Sequence, residues 1–131
     1  MNRVSVKPFK AIITIGLQVG YTDKLISKAE IVGAIQSYQN SLIKDKSIYL
    51  SVALSECDIV LSGQLEPHLQ LSIINYPKFP NHISILKKEV ENLTTFLMDK
   101  YNQNRVVIEY LNDETVMLEK SKEIDLRINS L

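Results

Sequence analysis

The ionisable side chains that stand close enough in sequence to do acid–base chemistry together are few. Glu56, Asp58, Glu66 and His68 flank the turn signal Ser62-Gly63-Gln64. If the stretches on either side pair as a hairpin, these groups converge at one end of it, and a carboxylate beside an imidazole can move a proton. Glu66 and His68 are therefore the candidate catalytic pair, with a solvated hairpin end as the plain alternative. Tyr21, Thr22 and Asp23 follow the first apolar stretch. They form a candidate ligand-binding loop, or simply the entry to a helix.

Other chemistries find less support. Cys57 lies between Glu56 and Asp58, and two flanking carboxylates disfavour the thiolate that a reactive cysteine needs. It reads as a small buried or half-buried residue at a strand break. His68 and His82 fall on different elements, and neither belongs to an HxxxH or HxH pair, so no metal site is expected. The four glycines form neither a G-x-G-x-x-G fingerprint nor a Walker-type P-loop. Gly16 to Thr22 reads as a strand end instead. No serine sits in a nucleophile elbow, and no cofactor is expected.

The rest of the chain must position these groups. With 131 residues, it is long enough for one domain with its own core and too short for two. The expected ordered core runs over 10–119, with a tail over 120–131. Hydrophobic residues make up 45% and charged residues 23%, a globular balance. Fifteen basic and fifteen acidic side chains cancel, which leaves no long-range field to attract nucleic acid or an anionic membrane. A single cysteine allows no internal disulfide and points to a reducing compartment. No apolar core of a signal peptide follows Arg3, Lys7 and Lys10, and Ala11 to Val19 is too short to span a bilayer. The expected location is the cytoplasm.

Hydrophobic periodicity sets the order of elements. Ala11, Ile13, Ile15, Leu17 and Val19 alternate within a strand over Lys10 to Gly20. Ser27 and Glu30 fit a capping box, and Ile31, Ile35, Tyr38 and Leu42 continue a helical stripe to about Lys44. Ile48, Leu50, Val52 and Leu54 alternate in a second strand. Ile59 and Leu61 resume out of phase with Leu54, which predicts a bulge or break near Cys57. His68 to Tyr76 reads as a third strand, stopped by Pro77 and Pro80. Asn81 is a good N-cap for a helix carrying Leu86, Val90, Leu93 and Leu97, which Asn102-Gln103-Asn104 ends. Arg105 to Leu111 is a fourth strand, which Asn112-Asp113 can turn into Thr115 to Leu118. From Lys120 the pattern fits an edge or exchanged strand or a frayed end.

The order β-α-β-β-α-β predicts an α+β, ferredoxin-like sandwich: an antiparallel sheet with two helices on one face and a C-terminal hairpin or tail extension. The other face is left without cover. It should carry Ile12, Thr14, Gly16, Gln18, Ser51, Ala53, Ser55, His68, Gln70, Ser72 and Ile74. That set is small, neutral and half polar. It suits association of subunits through their sheets, or a shallow pocket for a small molecule, more than a charged solvated surface.

Several short features together resemble a small bacterial family of ferredoxin-like domains that brings no established activity. They are Ile15-Gly16-Leu17, the polar loop Tyr21 to Lys24, Ile26-Ser27-Lys28-Ala29-Glu30, a long central hairpin, and Tyr101 to Val106. In topology the chain is also similar to PII-type signalling proteins, and the resemblance implies assembly through the sheets. The first functional expectation is a homo-oligomeric ligand-binding or regulatory module with a cleft near Tyr21, Glu66 and His68. The alternatives are a cofactor-independent acid–base enzyme of isomerase or lyase type, using Glu66 and His68, and a purely structural or partner-binding protein.

Overall fold

The computed structural model describes residues 1–126; residues 127–131, the end of the tail segment, lie outside the described residues. The elements are β1 (Lys10–Gly16), α1 (Lys28–Lys46), β2 (Val52–Leu61), β3 (Gln64–Ile74), α2 (Ile83–Lys100), β4 (Arg105–Tyr110) and β5 (Glu114–Glu119). They form one five-stranded sheet in the order β2-β3-β1-β4-β5, with every neighbouring pair antiparallel. This is the ferredoxin-like α+β arrangement, with β5 added by the C-terminal hairpin.

The core lies between the sheet and the two helices. Ile13 stands opposite Leu71 on one side and Ile108 on the other, and all three are fully buried. Ala11, Ile15, Leu69 and Ile73 extend the same face. Ile31, Ile35 and Leu42 of α1 and Leu86, Val90, Leu93 and Leu97 of α2 close over it. Each large aliphatic side chain removed from water in this way contributes about 1.5–3 kcal/mol. Among the described residues, no helix is long and apolar enough to cross a membrane.

The helix starts show how local sequence sets the boundaries. Ser27 Oγ accepts from the Glu30 amide at 3.1 Å and Glu30 Oε2 accepts from the Ser27 amide at 3.2 Å, which closes the expected capping box. In α2 the cap is His82, not Asn81: His82 Nδ1 accepts from the Ser84 amide at 3.2 Å. Asn81 is occupied in the preceding turn, where its amide donates to Asn75 Oδ1 and its side chain to the Phe79 carbonyl.

A polar knot joins the helices. The Glu89 carboxylate, 2% exposed, accepts from the Tyr38 hydroxyl at 3.0 Å, Asn92 Nδ2 at 3.2 Å and Lys46 Nζ at 3.0 Å. Burial alone would raise its pKa; the bonds from Lys46, Asn92 and Tyr38 outweigh that and hold it below the ordinary value of 4.5. The folded chain therefore binds a proton at Glu89 less readily than the unfolded one. This stabilisation is present in full above pH 4.5 and declines as the pH falls below it. Glu89→Ala should lower unfolding free energy in urea by about 2–4 kcal/mol at neutral pH and flatten the acid limb of the stability curve. An unchanged urea midpoint would show that the knot contributes nothing.

Two expected boundaries move for identifiable reasons. β1 stops at Gly16, not Gly20, because the next partner on β3 is Pro67, which has no N–H. The Pro67 carbonyl accepts from the Leu17 amide at 2.9 Å, and the Leu17 carbonyl accepts instead from Ile26 at 2.8 Å. Residues 17–26 thus fold back as a loop. β2 starts at Val52, not Ile48, since the Leu50 carbonyl is tied to Gln39 Nε2 of α1 at 2.9 Å.

The bulge expected near Cys57 is absent. β2 and β3 pair in unbroken register from Val52↔Ile73 to Leu61↔Gln64. The apolar residues change face instead. Leu54 points into the core, whereas Ile59 and Leu61 lie on the other face, because this hairpin runs past the end of β1 and beyond the helices' cover. Its end leaves Val60, Leu61 and Leu65 more than half exposed, at 76%, 56% and 68%.

Candidate functional site

The uncovered face is built of cross-strand rows that run over all five strands. Thr14 stands between Gln70 and Val107, with Ser55 and Met117 one strand further out. Ile12, Ala53, Ser72 and Ile74 fall on the same face as expected, and β4 and β5 add Glu109 and Thr115. Gln18 and Ser51 lie beyond the strand ends.

At one end of this face is a cleft of about 300 Å³. The overhanging hairpin supplies one wall with Ile59, Gln64, Glu66 and His68. The opposite wall holds Arg105, Val107 and Met117, and Tyr21, Gln103, Asn104 and Asp125 close the end. The floor is Gly16. A Cβ placed there would stand 3.3 Å from Gln103 Oε1 and 3.5 Å from His68 Nε2, so the missing side chain is what leaves room between these two groups.

The geometry fixes which nitrogen of His68 faces the cleft. Its Nδ1 lies 3.1 Å from the Glu66 carbonyl oxygen, which can only accept, so Nδ1 carries hydrogen. In the neutral ring the lone pair is then on Nε2, over Gly16. Glu66 and His68 alternate with Pro67, so both side chains reach the same face. Glu56 and Asp58 pair with Leu69 and Pro67 and fall on the opposite face. The four groups flanking the turn therefore do not converge, because β-strand side chains alternate.

The far end of the cleft is assembled by the turn after α2. Asn102 has φ 51° and Gly20 has φ 53°, and a Cβ on Gly20 would lie 3.1 Å from the Asn102 carbonyl oxygen. This close approach lets Gln103 Nε2 donate to the Gln18 carbonyl. Asn104 then ties down the tail: its Oδ1 accepts from the Ser121 amide at 2.8 Å, and its Nδ2 donates to the Tyr21 hydroxyl at 2.9 Å. The Tyr21 hydroxyl also accepts from Arg105 Nη1 at 2.6 Å and donates to the Glu123 carbonyl at 3.3 Å. Arg105 Nε pairs with Glu119 at 2.5 Å, a bond that raises the guanidinium pKa further and keeps it charged. This network straps residues 120–125 against the sheet and buries Asp125, 5% exposed, in the cleft lining.

Of the residues singled out from sequence, Glu66, His68 and Tyr21 meet in the cleft. Thr22 and Asp23 do not line it; Thr22 Oγ1 donates to the Val19 carbonyl and accepts from the Lys24 amide, shaping the turn. Sequence reasoning missed Gly16 as the floor, and Gln103, Asn104, Arg105 and Asp125. Asn102-Gln103-Asn104 read only as a helix stop, and nothing local marks Asp125. Among the described residues, no group of three or more His, Cys, Asp or Glu side chains is placed to hold a metal ion.

No family model and no curated protein matches the sequence. Two solved structures are similar in fold over nearly their whole length. One is a phage SAM lyase in complex with S-methyl-5'-thioadenosine, 21% identical, with a TM-score of 0.66 over 95% of this chain and 98% of that one. The other is a phage SAM lyase in the apo state, 20% identical, with the same TM-score and coverage. At this identity the likeness establishes the fold alone.

Proposed function

We propose that the cleft is the active site of a cofactor-independent lyase acting on a small sulfonium substrate of the S-adenosylmethionine type. One observation carries the reading: His68 Nε2 and the carboxylate-bearing residues Glu66 and Asp125 line one cleft whose floor Gly16 leaves open. The fold shared with the phage SAM lyase supports it.

A sulfonium is already activated for cleavage. Its carbon–sulfur bond breaks with both electrons passing to sulfur, which leaves as a neutral thioether; from S-adenosylmethionine that thioether is S-methyl-5'-thioadenosine. The remaining four-carbon fragment is completed either by losing a neighbouring proton to a base or by ring closure from its own carboxylate. Neither route consumes water or an oxidant. In this reading Glu66 and Asp125 receive the substrate's ammonium, and Gln103 and the bare floor hold the reacting carbon in line. His68 is the base of the first route and a spectator in the second. Purified chain incubated with S-adenosylmethionine should therefore release S-methyl-5'-thioadenosine, measured by chromatography. His68→Ala abolishes release if a proton is abstracted and spares it if the ring closes. The absence of both turnover and binding of S-adenosylmethionine with the parent chain would overturn the proposal.

The binding-module reading retains one supporting observation. On the open face the exposed Leu61 and Met117, at 56% and 52%, suit burial against a second copy of the chain. Self-association through this end of the open sheet face predicts a dimer or larger by light scattering. A strict monomer at micromolar concentration would remove it.

A further inference from the structure

A second cavity, of about 580 Å³, opens in the helical layer and shares no lining residue with the cleft. It lies where the loop over 17–26 meets α1 and the C-terminal end of α2. Ile26, Ala34 and Tyr101 are buried at its base, Val19 and Phe96 are half-buried, and Leu25 stands 65% exposed beside them. The loop is held by backbone bonds, Val19 to Lys24 at 2.8 Å and Ile26 to Leu17 at 2.8 Å, so the cavity wall is preformed.

Gly33 is the informative residue. It sits within the 19-residue α1 and lines this cavity. A Cβ built on it meets nothing within 4 Å. Glycine is the poorest helix former after proline, and here no close packing and no left-handed backbone calls for it. What glycine provides at this position is open space beside an apolar base. The charges around that space are two ammonium groups, Lys24 and Lys100, and one carboxylate, Glu30. Glu30 Oε2 already accepts from the Ser27 amide in the capping box, and the Tyr101 hydroxyl donates to the Glu30 carbonyl.

We infer that this cavity is a binding site for a small organic anion with an apolar body. The base formed by Ile26, Phe96 and Tyr101 covers the body, and Lys24 and Lys100 take the anionic group. The inference stands apart from the lyase reading and uses none of its residues.

Anilinonaphthalene sulfonate has the required chemistry, one sulfonate on a fused aromatic body. Titrated into the whole chain, it should give a saturable fluorescence rise with one probe bound per chain. Gly33→Leu fills the space with a better helix former, so it should keep or raise the melting temperature while weakening the probe about ten-fold or more. The exposed double variant Lys24→Glu with Lys100→Glu should weaken it to a similar degree, and this pair tests the site whether or not Gly33→Leu folds. Unsaturable binding by the parent, or parental affinity in the folded double variant, would overturn the inference. So would a change of oligomeric state in Gly33→Leu without loss of the probe, since the space would then serve a second copy of the chain.

Discussion

Gly16→Val is expected to lower kcat/KM for S-adenosylmethionine by about 100-fold while leaving the fold in place. Valine suits an open-face strand position, and Gly16 pairs in regular register with His68. Only the cleft suffers. The new Cβ would press on Gln103 Oε1 at 3.3 Å and stand 3.5 Å from His68 Nε2, and its two methyl groups would occupy the floor. Gln103 is 7% exposed and bonded to the Gln18 carbonyl, so it cannot swing freely aside. Steady-state kinetics beside a thermal melt separates the two effects. Parental turnover in a folded Gly16→Val chain would mean that the reacting atoms do not pass over this residue.

Glu66→Gln should produce a loss of comparable size with a different signature. The substitution keeps the shape and removes the charge. A charge-assisted hydrogen bond to an ammonium in a partly dry cleft is worth about 2–3 kcal/mol, or about 30-fold to 150-fold in affinity. S-adenosylmethionine carries that ammonium and S-methyl-5'-thioadenosine does not. Calorimetry should therefore show the affinity of Glu66→Gln falling steeply for the first compound and hardly at all for the second. Equal losses for both would assign Glu66 to the shape of the cleft instead of to charge recognition.

The sheet was legible because its physics is local. Alternation through Ala11, Ile13 and Ile15 and the stripe Leu86, Val90, Leu93 and Leu97 each identify a buried face without reference to anything distant. The order of those elements then leaves few arrangements, and the uncovered face follows from there being two helices among the described residues. The misreadings came where tertiary partners decide. Ile59 and Leu61 fall out of phase with Leu54 not because the ladder slips but because the hairpin outruns its cover and the apolar side changes. Asn81 has the right side chain for a cap but spends it in a turn with Phe79, while its amide is taken by Asn75. β1 ends early because Pro67, more than fifty residues away, cannot return a hydrogen bond.

The cleft was half legible for the same reason. Glu66, His68 and Tyr21 advertise their chemistry by type, and two of them share a strand. Gly16 read only as part of a strand end, since a missing side chain reveals its purpose only when Gln103 and His68 are seen to close over it. Asp125 reaches the cleft through the chain of bonds from Asn104, Tyr21 and Arg105 to the tail, and no spacing in the sequence encodes that path.

The claim on which the rest depends is that ligand sits over Gly16, on the open side of the sheet. Titration of S-methyl-5'-thioadenosine into isotopically labelled protein, followed by NMR, tests it directly. The account predicts that the largest amide and side-chain shifts fall on Gly16, Glu66, His68 and Gln103, with the helical layer around Gly33 unmoved. Shifts centred on Gly33 and Lys100 with Gly16 and His68 silent, or no shifts at all at saturating concentration, would contradict it.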